Sequence, residues 1–365
     1  MYYEKTRTLL PAGSLSKLKI ALLYGADAVY AGIAEMSLRV KSKFPLEEIR
    51  EGILFAHNLG KKIYLTLNLF SHNKDIPNLK NFANTIKTLN PDGVIISDPG
   101  IFSYIKKEIP QMPVQISTQA NICSWLTVHF WQDLGASLCV LGREVSFLEA
   151  KEIRKHCKNI KLEVFIHGAM CISYSGRCLL SAFMASRSAN KGACAHSCRW
   201  KYKSKLLLEE ELRPGEYLEM EEDEKGSYIL NSKDLCLMPK LNNLIEIGID
   251  SLKIEGRNKS EYYVAQTARV YRKAIDDYFN NPTKWRSDIY MQELLTLQNR
   301  GYTLGFFNGV PDESAQDYIE TSSRSDYRNA GIITDNKDGM LTIELKHKLK
   351  KGDAIEILSP YQFEP

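Results

Sequence analysis

Four thiols crowd one short stretch of the chain. His167 to Arg199 reads HGAMCISYSGRCLLSAFMASRSANKGACAHSCR, carrying Cys171, Cys178, Cys194 and Cys198 with Gly168, Gly176 and Gly192 to let the backbone turn tightly. Thiolates are soft ligands that favour zinc or iron–sulfur clusters. The spacing lacks the regular paired Cys-x2-Cys units of a zinc ribbon. Cys236, in Asn231-Ser232-Lys233-Asp234-Leu235-Cys236, brings a further thiol back toward the same region. Five thiols compete for four positions in a four-cysteine metal site, so at least one is a bystander. Structural free thiols or a redox disulfide are the alternatives. Cys123, Cys139 and Cys157 fall on helix and strand patterns and read as core residues.

Other chemistry-bearing residues stand at the ends of apolar runs. His167 follows Leu162-Glu163-Val164-Phe165-Ile166 directly, and either works as a general acid–base or makes a structural hydrogen bond. Glu163, four residues earlier, is placed to pair with a basic group. Glu255-Gly256-Arg257 offers a carboxylate and a guanidinium for an anionic substrate, or for a buried ion pair, and Arg143-Glu144 repeats that ambiguity. His167, Glu163 and Glu255 are thus the catalytic candidates. Asn68 and Gln119 are rim polar groups that join Arg143 and Arg257 as candidates for substrate binding. Arg177, Arg187, Arg199 and Lys191 surround the cysteines; a basic loop there suits a phosphate-bearing partner such as RNA, or else balances thiolate charge. Trp200 and Tyr202 either stack on a base or pack beneath the loop.

The elements that must position these groups follow from the hydrophobic pattern. Short β-rich runs alternate with helical periods from residue 7 to about residue 280, which implies parallel strands covered by helices. Ser14 and Ser124 stand where helix N-caps belong, Pro45 and Pro99 where helices begin, and Gly60 and Gly135 where they end. Seven strands end at Ile166, and the eighth, Ser251 to Ile254, follows an interruption spanning 168–236 and a helix from Leu237 to Ile247. Eight such units predict a TIM-like (β/α)8 barrel. A doubly wound sheet is the rival, but no Gly-x-Gly-x-x-Gly follows any strand. Strand-to-helix loops of a barrel sit on its catalytic face, so a Cys-rich insertion after strand seven points to function by topology alone.

Composition sets the outer bounds. The chain is 44% hydrophobic and 25% charged at a net +4, with a mean hydropathy of −0.29. No apolar run approaches the roughly 20 residues of a membrane helix, and Met1-Tyr2-Tyr3-Glu4-Lys5 opens no secretory signal. A reducing cytoplasm is therefore expected, where clustered cysteines mean metal or redox chemistry rather than disulfides. Glu209 to Glu224 holds nine acids against Arg213, a net −8 that leaves +12 on the rest and reads as a solvated hairpin or loop. The predicted organisation is a barrel over 1–280 including the insertion, an irregular linker over 281–325, and over 326–365 the opening strands of a small, incomplete β-barrel at Gly331–Thr334, Met340–Leu345 and Ala354–Leu358.

Together, Glu163, His167, Cys171, Tyr174-Ser175-Gly176-Arg177-Cys178, Arg187, Asn190, Gly192, Cys194 and Cys198-Arg199 resemble the signature of the collagenase-like peptidases, peptidase family U32. Leu10-Pro11-Ala12-Gly13-Ser14, Asn231 to Cys236 and Lys253 to Arg257 match its other landmarks, so the resemblance spans nearly the whole chain. The family is named for protease activity, yet it includes similar enzymes that hydroxylate tRNA wobble uridine, large-subunit ribosomal RNA or ubiquinone precursors without molecular oxygen. The resemblance implies a four-iron four-sulfur cluster on Cys171, Cys178, Cys194 and Cys236, with Cys198 the alternative ligand and zinc the alternative metal. It also implies a small carboxylate donor, derived from prephenate, binding near Arg257 or Arg143. No His-Glu-x-x-His and no Gly-x-Ser-x-Gly occurs, and an all-thiolate site is a poor hydrolytic centre but a good redox one. Hydroxylation of RNA, with tRNA wobble uridine as target, is the expectation. A collagenase-like protease acting on protein, or a subunit of a multi-protein hydroxylase or maturation complex, are the alternatives.

Overall fold

The computed structural model describes residues 6–32, 44–68, 71–170, 173, 180–185, 194–195, 197–199, 208–209, 217–218, 222–223, 226–227, 232–311, 315, 325 and 327–360. Its strands are the apolar runs of the sequence: β1 Arg7–Ala12, β2 Ala28–Gly32, β3 Lys62–Leu67, β4 Gly93–Ile96, β5 Val114–Ile116, β6 Leu138–Val140, β7 Lys161–Ala169 and β8 Ser251–Ile254. Each pairs in parallel with the next, and β8 returns to β1 with Thr8 opposite Leu252 and Leu9 opposite Lys253. The sheet is therefore a closed barrel, as the alternation predicts. Being covered on both faces, the strands are apolar almost throughout. Leu9, Ala28, Tyr30, Tyr64 and Ile95 pack as one small cluster, while their neighbours Leu10, Val29, Ile63, Leu65, Val94 and Ile96 join the larger core against the helices.

The covering helices are α1 Leu15–Leu23, α2 Leu46–Asn58, α3 Leu79–Leu89, α4 Pro99–Glu108, α5 Trp125–Asp133, α6 Phe147–His156, α7 Leu241–Glu246 and α8 Glu261–Asn280. Their starts are capped by side chains that accept orphan backbone N–H groups: Ser14 for α1, Asp98 for α4, Ser124 for α5 and Ser260 for α8. Ser146 and Glu149 form a reciprocal capping box on α6. Pro45 sits one residue outside α2, as its N-cap.

Two departures from regular barrel geometry shape the site. A short strand, Asp234–Cys236, lies antiparallel on the end of β7, with Cys236 opposite His167, and Tyr302–Thr303 pairs with it in turn. The register between β7 and β8 also slips: Lys253 faces Phe165, yet the next residue, Ile254, faces His167. The extra residue on β7 behaves as a bulge, which resets the alternation of side chains beyond it.

Within 168–236, the described segments include a helix at Leu180–Ala185, a turn at Ser197–Arg199 and two-residue ladders pairing Leu208–Glu209 with Tyr217–Leu218 and Glu222–Asp223 with Gly226–Ser227. The region expected to be irregular after residue 281 contains α9, Ser287–Leu295. Gly331–Lys337 and Met340–Leu345 form the expected hairpin across Asp338-Gly339, both at positive φ. The third expected strand is not formed: 354–358 carries no strand pairing. The reason is visible in burial, since Ile333, Met340, Leu345, Ile355 and Ile357 are all exposed and no packed face draws that run onto the hairpin. Among the described residues no helix is long and apolar enough to cross a membrane.

Candidate active site at the barrel mouth

The ends of β6, β7, β8 and β2 bring a charged, aromatic-walled cluster together. Glu163 is fully buried; it accepts from Ser251 Oγ at 2.6 Å and from Lys253 Nζ at 3.0 Å. The ammonium of Lys253 lies 4.6 Å from the centre of the Tyr30 ring and 5.5 Å from that of Phe165, favourable positions for a desolvated cation. Burial lowers the Lys253 pKa and the Glu163 carboxylate opposes that shift. Arg143 stacks over Phe165 at 4.1 Å and stands 3.9 Å from Glu255, while Arg257 covers Tyr30 at 5.1 Å. The Tyr30 hydroxyl donates to the Ile254 carbonyl at 3.0 Å and reaches Glu255 Oε2 at 3.3 Å. Three cations against two carboxylates leave the cluster one positive charge in excess. Arg257 Nε is buried with no hydrogen-bond partner, a donor left over for an incoming oxygen anion.

Glycine makes the mouth possible at one place. A Cβ on Gly13, after β1, would stand 2.3 Å from the carbonyl oxygen of Arg257. Only hydrogen fits there, so the β1 and β8 loops close against each other and fix the Arg257 backbone.

The expected place of His167 at the mouth is corrected by the structure. The register slip turns its ring away from the Glu163–Lys253 pair, into the layer under α8. There it lies 5.7, 5.6 and 5.4 Å from the rings of Tyr263, Tyr271 and Tyr302. Nδ1 is 3.2 Å from the Tyr271 hydroxyl, and burial pushes the imidazole pKa down to about 3, so the ring is neutral at ordinary pH. The hydrogen-bonding alternative is the one this geometry supplies. Glu163 likewise is engaged with Lys253 and Ser251, while Glu255 stays half-buried at the rim.

Cys236 is buried on the strand beside His167, its Sγ 3.6 Å from the Tyr271 hydroxyl and 3.6 Å from Met291 Sδ. Burial pushes this thiol up to about 11. It therefore keeps its proton until a soft cation replaces it, and a sulfur donor of this kind fits an iron–sulfur cluster or zinc in its chemistry. Cys194 and Cys198 are half-buried, and the amide of Ala195 donates to Ser181 Oγ at 2.8 Å, tying the Cys194 segment to the Leu180–Ala185 helix. Cys171, Cys178, Arg177 and Arg187, with Lys191, Trp200 and Tyr202, lie outside the described residues, as does the Arg199 side chain. Among the described residues no three His, Cys, Asp or Glu side chains gather as a metal site. Of the thiols read as core, Cys139 and Cys157 are buried and Cys123 is half-buried. Asn68 is half-buried at the end of β3, and Gln119 is buried in the turn after β5.

A family model described as peptidase family U32 matches residues 13–317, a span that holds every barrel strand after β1 and all the mouth residues. The chain belongs to peptidase family U32. Its U32 relatives carry different names. The tRNA hydroxylation protein P of Escherichia coli strain K12 is 38% identical over 394 residues, covering 98% of this chain and 86% of the relative. A 23S rRNA 5-hydroxycytidine synthase of the same organism is 34% identical over 75% of this chain and 40% of its own length. The collagenase of Porphyromonas gingivalis strain W83 is 30% identical over 96% of this chain and 86% of its own length.

Lys253, Tyr30, Phe165 and Tyr271 are the residues that sequence reasoning missed. Lys253 did carry a signal, being a charge inside an otherwise apolar strand. The aromatic residues carried none, since they read simply as core.

Proposed function

We propose that this U32 protein is an RNA-modifying hydroxylase, with the wobble uridine of tRNA as its target. The observation that carries the reading is the match to a tRNA hydroxylation protein at 38% identity over 98% of the chain. The relative named for 5-hydroxycytidine in 23S rRNA supports the wider class. The mouth geometry is compatible with it: Arg143 and Arg257, braced on aromatic rings and one charge in excess, suit a small carboxylate or a phosphate oxygen. Cys171, Cys178, Cys194 and Cys236, with Cys198 as alternate, would hold a four-iron four-sulfur cluster. Such a group supplies one-electron transfer when bound. This chain's residues do the rest: Glu163 fixes Lys253, the Arg143–Glu255 pair orients the rim, and Arg257 offers its free Nε–H to an anion. Cytoplasmic residence follows from this reading, because the substrate is there.

The collagenase relative keeps proteolysis as a second reading, at the lower identity of 30%. Two measurements decide. A deletion strain should lose 5-hydroxyuridine-type nucleosides from its tRNA by mass spectrometry. Anaerobically purified protein should be brown and contain iron and acid-labile sulfide. Purified wild type that cleaves collagen, with tRNA hydroxylation intact in the deletion strain, overturns the hydroxylase reading; zinc without sulfide overturns the cluster.

A further inference from the structure

Behind Cys236 one phenol is shared by three neighbours. Tyr271 comes from the middle of α8 and is completely buried. Its hydroxyl lies 3.6 Å from Cys236 Sγ, 3.2 Å from His167 Nδ1 and 3.3 Å from the Ile166 carbonyl. The bulge on β7 creates this arrangement, because it is what turns His167 outward beneath α8. Strand pairing then sets Cys236 opposite His167, so sulfur, imidazole and phenol meet in a layer closed by the rings of Tyr263 and Tyr302.

We propose that Tyr271 is a positioning residue for Cys236, donating its hydroxyl proton to Sγ whenever that sulfur is a metal-bound thiolate, with His167 Nδ1–H donating in turn to the phenol oxygen. The assignment rests on the reading that Cys236 is a cluster ligand. The physical case is one of donors and acceptors. A bound thiolate has no proton to give and accepts only. A phenol is the strongest neutral donor within its reach, and a charge-assisted bond to sulfur outcompetes the longer bond to the Ile166 carbonyl. His167 is held neutral and carries one ring proton; placed on Nδ1, it completes a chain His167 to Tyr271 to Cys236 without leaving any of the three unsatisfied. Hydrogen bonds to ligand sulfur withdraw electron density and so raise the reduction potential of a cluster, and outer-layer partners orient the ligand itself.

The test uses the full chain purified without oxygen, with iron and acid-labile sulfide counted first. Tyr271→Phe should retain the cluster but show a more negative midpoint potential in an EPR-monitored titration. Its iron should pass to a chelator about 10-fold faster than from wild type, the lower end of outer-layer effects. Tyr278→Phe, whose hydroxyl bonds Glu246 instead, should match wild type in both readouts. Should Tyr271→Phe fail to accumulate folded, His167→Leu is the second variant: it removes the donor to the phenol and should shift the potential the same way by a smaller amount, while His167→Gln restores it. A folded Tyr271→Phe with unchanged potential and chelation rate overturns the assignment, as does an unchanged His167→Leu where that variant is used. Wild type lacking iron and sulfide instead overturns the cluster reading itself, and this assignment with it.

Discussion

At the scale of single residues, the mouth depends on one buried ion pair. Glu163 has no exposure and the Lys253 side chain only 6%, so neither charge has water to fall back on. Glu163→Gln leaves the ammonium without its counter-charge and is expected to cost about 3–5 kcal/mol of stability in denaturant titration. Adding Lys253→Met to that variant should recover most of the loss, because an apolar side chain between Tyr30 and Phe165 needs no partner. A double variant no more stable than the single would show that the pair is not what stabilises this part of the barrel.

At the scale of elements, two contacts between them decide the geometry. Gly13→Ala drives a methyl against the Arg257 carbonyl, so either the β1 loop or the β8 loop must move. The expected cost is about 1–3 kcal/mol in thermal unfolding, with tRNA hydroxylation falling more than the lost stability explains, because Arg257 is displaced. At the opposite end, Asp27 gathers β1 and α8: it accepts from the Thr8 amide at 2.8 Å, from Thr8 Oγ1 at 3.0 Å and from Arg272 Nη1 at 2.6 Å. Burial raises the Asp27 pKa, but Arg272, Thr8 and Lys61 more than offset it, and the carboxyl stays below the usual range. A carboxyl whose folded pKa lies below its unfolded value of about 3.9 stabilises fully above that pH and loses the contribution as pH falls through the folded value. Asp27→Asn should therefore be less stable than wild type at pH 7, with the gap closing in acid below about pH 3. A pH-independent gap would refute that origin.

For the whole molecule, charge is the quantity that matters. A net +4 conceals −8 on the acidic run and +12 on the rest, so an RNA partner should meet the latter. If four phosphates of a single-stranded loop are engaged, tRNA affinity should fall about 50-fold between 50 and 200 mM salt in a filter-binding series. A flat series would show that binding does not run through phosphates. The exposed hairpin at 331–345 contributes little to the barrel core, although the Tyr24 hydroxyl of α1 donates to the Leu358 carbonyl at 2.8 Å.

The sequence by itself determined the barrel, most helix starts and the clustering of thiols after strand seven. Those properties are local: strand periodicity, caps and composition are written in neighbouring residues. It also marked Glu163, Arg143, Glu255 and Arg257 as strand-end charges. It missed α9, whose apolar face is short, and it expected a strand at 354–358 that finds no surface to pair with. Only the tertiary structure decided where His167 faces, because a one-residue slip between β7 and β8 cannot be read from either strand alone. It alone brought Lys253 between Tyr30 and Phe165, and Tyr271 to Cys236, since residues from different strands and helices become neighbours only when the barrel closes.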